Sequence, residues 1–137
     1  LHRWVEEGRV VPICPEVAGG LPASRLSAEI SGGQGGRAVL KRLARVIDSS
    51  GNDLTPSFIA GASHALDLVA SEAIHIAILK EGSPSCGTNY TYDGTFTGRR
   101  TTHPGVTSEI LQRAGIRVFS EAQFEEARAF LALLDNE

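Results

Sequence analysis

The sequence predicts an α/β fold: a three-layer sandwich with a mostly parallel central sheet flanked by helices, plus a small β-hairpin. Three observations carry this. Helical and strand patterns alternate along the chain, the order that builds parallel sheets. The run Ile74-His75-Ile76-Ala77-Ile78-Leu79 is almost continuously apolar, which suits a parallel strand covered on both faces. Tyr92-Asp93-Gly94-Thr95-Phe96 sets a turn between β-favouring residues, the mark of a hairpin over residues 90–100. With 137 residues and 42% hydrophobic content, residues 1–137 form a single domain with an ordinary core.

The elements follow in order. Residues 1–8 read as the last turns of a helix closed by Gly8, and the chain contains no methionine, so residues preceding Leu1 are expected. Val10-Val11-Pro12-Ile13 is a short strand ending at Cys14-Pro15-Glu16, its proline marking an end or an edge. Residues 17–36 are rich in glycine, proline and serine and form a long irregular segment. Residues 39–47 are ambiguous, compatible with a short helix running into a strand, and Ser49-Ser50-Gly51-Asn52 marks a turn. Thr55 as N-cap and Pro56 at the first helical position open a helix in which Phe58, Ala62, Ala65, Leu66, Val69 and Ala73 recur at helical spacing. The apolar strand then delivers the chain to Gly82-Ser83-Pro84-Ser85-Cys86-Gly87. Beyond the hairpin, residues 104–114 form a helix stopped by Gly115, residues 116–119 a strand, and Ser120 with Gln123 a capping box for a final helix reaching Leu134.

Net charge is −3 with the two signs interleaved, so no basic stripe is present and a nucleic-acid polymer is not an expected partner. No apolar run approaches the roughly 20 residues that cross a bilayer, and nothing at the start resembles a signal core, so a cytoplasmic protein without membrane association is expected. Oligomeric state is left open. Two cysteines do not make a disulfide framework and are available for chemistry or for a metal.

In open α/β sheets, ligands gather beyond the carboxyl ends of the strands. Cys14 and Cys86 each sit just past such an end, beside proline, so both sulfurs are expected on one rim although 72 positions separate them. Free cysteine is also a common small core residue. The surroundings weigh against that here: Glu16 follows Cys14, and the small residues around Cys86 allow close backbone approach to a ligand. Two thiolates leave a metal undercoordinated; a third ligand would come from Glu16, a histidine or a part of the protein outside this sequence.

The stretch Cys14-Pro15-Glu16-Val17-Ala18-Gly19-Gly20-Leu21-Pro22 with Arg25, Ala28 and Glu29, then Ser83-Pro84-Ser85-Cys86-Gly87, then Tyr92-Asp93-Gly94-Thr95-Phe96, resembles the bacterial thiouracil desulfidase family in order across essentially the whole chain. The resemblance implies a [4Fe–4S] cluster held by three cysteines with one iron lacking a protein ligand. Cys14 and Cys86 correspond to two of them. The family's first cysteine lies in an N-terminal strand and loop that this sequence lacks, so the third ligand is expected outside it. The implied reaction is the non-redox desulfuration of a small thiolated nucleobase such as 2-thiouracil to uracil and sulfide.

Such a hydrolysis needs a base for water and donors for the ring. Glu16 is the first candidate for acid–base work, with a salt bridge to Arg25 as its structural alternative. Ser83 and Ser85 are candidates to orient substrate or assist proton transfer, against plain turn chemistry. Arg25, Glu29 and Asp93 are candidates for the substrate pocket, although an ion pair explains Arg25 and Glu29 equally well. Gly32-Gly33-Gln34-Gly35-Gly36 lacks both the Walker lysine and the dinucleotide fingerprint and reads as a flexible loop. His64 and His75 fall in the helix and buried strand, and His2 and His103 have no partner nearby in sequence. Two rivals stand: metal-free catalysis with Cys86 as nucleophile, as in a hydrolase or sulfurtransferase, and a non-catalytic module that senses a cluster.

Overall fold

A computed structural model describes residues 10–22 and 24–135. The expected helix ending at Gly8 lies outside these residues. Among the described residues five α-helices and six short strands follow one another: α1 (Pro15–Ala18), β1 (Ala28–Ile30), α2 (Gly35–Leu40), β2 (Val46–Asp48), α3 (Thr55–Ser71), β3 (Ile76–Leu79), β4 (Thr91–Tyr92), β5 (Arg100–Thr101), α4 (Val106–Arg113), β6 (Arg117–Ser120) and α5 (Phe124–Asp135). The α/β class is as expected. Among the described residues the strands join in twos: β3 and β6 run parallel with Ile76 opposite Arg117 and Leu79 opposite Ser120, whereas β1–β2 and the hairpin β4–β5 are antiparallel.

The core lies between β1–β2 and the helices. Ile30, Val39, Val46, Phe58, Ala62 and Val106 close on one another from β1, α2, β2, α3 and α4, so the 3.6-residue spacing of Phe58 and Ala62 does what their periodicity implied. On the other side Phe119 of β6 meets Phe130 of α5 with ring centroids 6.1 Å apart, and the Arg117 guanidinium covers Phe130 at 4.6 Å. No helix among the described residues is long and apolar enough to cross a membrane.

Two local expectations change. Residues 10–13 form no strand ladder: Pro12 offers no N–H, and an apolar cavity of about 560 Å³ separates this segment from β3. Thr55 is not the N-cap of α3; it is the first helical residue, and Leu54 takes the cap position. The Thr55 hydroxyl accepts the Val46 N–H at 2.9 Å, tying the helix to β2, while Asp53 Oδ1 accepts the Thr55 N–H at 2.9 Å. Gln123 Oε1 does accept the Ser120 N–H at 3.0 Å, opening the last helical segment through a short 3-10 turn, Glu121–Gln123, before α5.

Candidate functional site

The first cysteine is placed by its neighbour. The residue before a proline is pushed to extended backbone, and proline suits the start of a helix. Cys14 accordingly has φ −111° and ψ 104° and caps α1, in which Pro15 is buried while Cys14 stays exposed. Glycine brings α1 onto α3. A Cβ on Gly61 would lie on the Pro15 carbonyl, 2.7 Å from its carbon, and one on Gly19 would lie on the carbonyl of Ser57. The two backbones therefore touch directly, and Cys14 and Glu16 stand at a fixed height above a 17-residue helix.

The second cysteine sits in a turn that α4 holds from beneath. Gly105, Val106 and Thr107 donate their N–H groups to Gly87 (2.8 Å), Pro84 (2.8 Å) and Ser85 (2.9 Å), so the helix start spends its otherwise unpaired donors on the cysteine loop. Ser108 Oγ donates to the Cys86 carbonyl at 3.0 Å. The Ser85 hydroxyl, 1% exposed, faces Thr107 Oγ1 at 2.7 Å and lies 3.7 Å from Cys86 Sγ. At the strand end, Glu81 accepts the N–H groups of Thr88 (2.6 Å), Asn89 (2.8 Å) and Tyr90 (3.3 Å), fixing the far side of the loop.

Ser83 joins the two halves. Its hydroxyl donates to Glu16 Oε2 at 2.9 Å and accepts the N–H groups of Ser85 at 3.0 Å and Cys86 at 3.1 Å. Glu16 Oε1 takes the Arg25 Nε at 2.7 Å, with Nη2 of the same guanidinium also on that oxygen. Glu16 is thus both the ion-pair partner of Arg25 and the carboxylate that accepts from Ser83 of the Cys86 loop. Burial pushes the Cys86 thiol up to about 11; its hydrogen bond with Ser85 opposes this, and Glu16 and Cys14 add to it by charge. Without a compensating cation Cys86 is therefore a protonated, poor nucleophile at neutral pH.

Beside this link opens a cavity of about 550 Å³, walled by Arg25, Glu29 and Ser83 on one side and by Tyr92, Phe96 and Gly98 of the hairpin on the other. Arg25 and Glu29, the candidates for a substrate pocket, both line this cavity. Their polar atoms are engaged: Arg25 on Glu16 and the Leu26 carbonyl, and Glu29 Oε1 on the N–H groups of Gly94 (3.0 Å) and Phe96 (3.1 Å). Asp93 does not line the cavity. Its carboxylate accepts the Thr95 hydroxyl at 2.6 Å and the Thr95 N–H at 2.9 Å, and these bonds hold its pKa below the usual carboxylate range. Gly36, read from sequence as part of a flexible loop, lies in the first turn of α2 and packs backbone to backbone on Gly105, the residue before α4. Sequence reasoning missed Thr107, Ser108 and Glu81, because each acts on a loop distant along the chain or through main-chain amides. Among the described residues no group of three or more His, Cys, Asp or Glu is placed to hold a metal.

The fold is that of an α/β protein in which the Glu16–Ser83 hydrogen bond joins the helix after Cys14 to the Cys86 loop, and comparison with known proteins gives its family. The family model for 2-thiouracil desulfurase matches residues 1–123. The chain is 40% identical over 126 residues to the uncharacterized protein YbbK of Bacillus subtilis (strain 168), covering 92% of this chain and 83% of that protein. It is 43% identical to the solved structure of a [4Fe–4S]-dependent thiouracil desulfidase, TudS, with a TM-score of 0.85, covering 96% of this chain and 80% of that one. The chain belongs to the 2-thiouracil desulfurase family.

Proposed function

We propose that this protein cleaves the C–S bond of a small thiolated pyrimidine such as 2-thiouracil, without net oxidation or reduction, releasing uracil and sulfide in the cytoplasm. The observation that carries the reading is the Glu16–Ser83 link, which ties the Cys14 helix to the Cys86 loop beside an open cavity. Cys14 and Cys86 offer two soft sulfur donors at one place, the chemistry a [4Fe–4S] cluster requires, and a third cysteine is not among the 137 residues. When bound, such a cluster supplies an iron open to a thiocarbonyl sulfur as a soft Lewis acid.

The chain's own residues do the rest. Water attacks the ring carbon that bears sulfur; one C–O bond forms and one C–S bond breaks. Glu16 Oε2 takes the proton from that water, its carboxylate held in place by Arg25. Ser83, which lines the cavity, is hydrogen-bonded to the same oxygen and steadies the Cys86 amide. Ser85 stays behind Cys86, its hydroxyl oxygen accepting from the thiol rather than facing the ring. Arg25 and Glu29 act as walls of the substrate pocket, with Asp93 shaping the hairpin that faces them.

The test is anaerobic reconstitution of the full natural chain with iron and sulfide, followed by visible absorption and sulfide release from 2-thiouracil. Broad charge-transfer absorption with turnover is expected. Glu16→Gln should cut turnover by at least about 100-fold, in the range of a lost general base, with the absorption retained. A colourless protein that still releases sulfide refutes the cluster reading in favour of a Cys86 nucleophile. A coloured protein inactive on thiolated pyrimidines refutes catalysis in favour of a cluster-sensing module.

A further inference from the structure

Phe96 occupies a conformation that its own side chain disfavours. Its φ of 58° is left-handed, a region that a bulky residue seldom enters, yet the residue is not glycine and its ring is 41% exposed. The rest of the hairpin tip enforces this. Glu29 Oε1 grips the amides on both sides of Thr95, those of Gly94 and Phe96, while Asp93 takes the amide and hydroxyl of Thr95. The result is a partly exposed aromatic residue that lines the 550 Å³ cavity together with Ser83, Arg25 and Tyr92. Strain held by surrounding bonds, spent on an aromatic residue outside the core cluster, marks a recognition surface.

We infer that Phe96 is a specificity-determining residue, the stacking wall against which a planar, aromatic heterocycle lies in this cavity. The inference rests on the desulfidase reading for the identity of the ring, but not for the site or for the stacking. Every pyrimidine presents a π-face of this kind, so the wall selects flatness, and the polar groups opposite are left to read the edge.

The experiment compares the wild-type full chain with Phe96→Gly, Phe96→Leu and Phe96→Tyr, measuring thermal stability, the Kd of 2-thiouracil and uracil, and sulfide release. The puckered ligand 5,6-dihydro-2-thiouracil serves as control, since it keeps the polar edge and loses the aromatic ring. Phe96→Gly relieves the left-handed strain, so it should melt no lower than wild type while binding both flat ligands roughly 10-fold more weakly, a typical loss for one stacking contact. Phe96→Leu should show a similar loss despite its apolar bulk, Phe96→Tyr should bind within about 2-fold of wild type, and the dihydro ligand should bind all four proteins alike. Equal affinity for flat ligands in wild type and Phe96→Gly overturns the inference, as does an equal loss for the dihydro ligand. Should sulfide release persist at wild-type KM in Phe96→Gly, the stacking wall fails and the desulfidase reading stands. Should binding depend on Phe96 with no sulfide released by any of the proteins, the desulfidase reading fails alone.

Discussion

Gly61 lies inside a 17-residue helix, where replacing glycine by alanine ordinarily stabilises by about 1 kcal/mol. Here the sign should reverse. An alanine Cβ at this position would fall on the Pro15 carbonyl, and α1 has no long side chain there to swing aside, because the contact is with backbone. Relief requires moving α1 by roughly 1 Å, at a cost near the upper end of overpacking, about 3 kcal/mol. Subtracting the gain in helix propensity leaves a net destabilisation of about 2 kcal/mol, which for a domain of this size lowers the melting temperature by about 6–8 °C. The movement also carries Cys14 away from Cys86. Calorimetry or a thermal circular-dichroism melt measures the first effect, and the rate at which a short bifunctional thiol reagent bridges the two cysteines measures the second. Gly61→Ala melting at or above wild type, with an unchanged bridging rate, would refute the direct backbone contact between α1 and α3.

Ser83→Ala removes the hydroxyl that serves Glu16 and two amides at once, so stability should fall by about 2 kcal/mol and Cys86 should alkylate faster with iodoacetamide, read by mass spectrometry. Glu81 gives the molecule an acid limb. Burial pulls its carboxyl up, but the amides of Asn89, Thr88 and Tyr90 and the Asn89 side chain outweigh this and hold it below its ordinary value of 4.5. A carboxyl more acidic when folded makes the unfolded chain bind more protons, so its stabilisation is complete above about pH 5 and is lost as pH falls through the folded value. Urea midpoints across that range should drop with pH in wild type and drop less steeply in Glu81→Gln; equal slopes would contradict the role given to Glu81.

The legible parts of the fold were those that depend on local spacing. The periodic face of α3, the apolar run of β3, the turn at Gly94 and the two cysteines beside prolines all show in the order of residues alone. Three features depend on which surfaces meet, and no local pattern holds that information. Gly61 is a contact point that helical spacing does not reveal; Gly36 looked like loop and lies in the first turn of a helix; Thr55 looked like a cap and serves a strand nine positions earlier. Ser83 was legible as a site residue but not as the link, since its partner Glu16 is 67 positions away.

The bare joint between α1 and α3 has a mechanical consequence. Side chains between helices act as compliant spacers whose rotamers let one cylinder slide over another, and at Gly19 and Gly61 there are none. Cys14 therefore rides rigidly on the long helix. Under the proposed function, movement that admits an inorganic group or lets sulfide leave is easier on the Cys86 side, where a five-residue turn hangs from amides and hydroxyls that part and re-form without moving a helix.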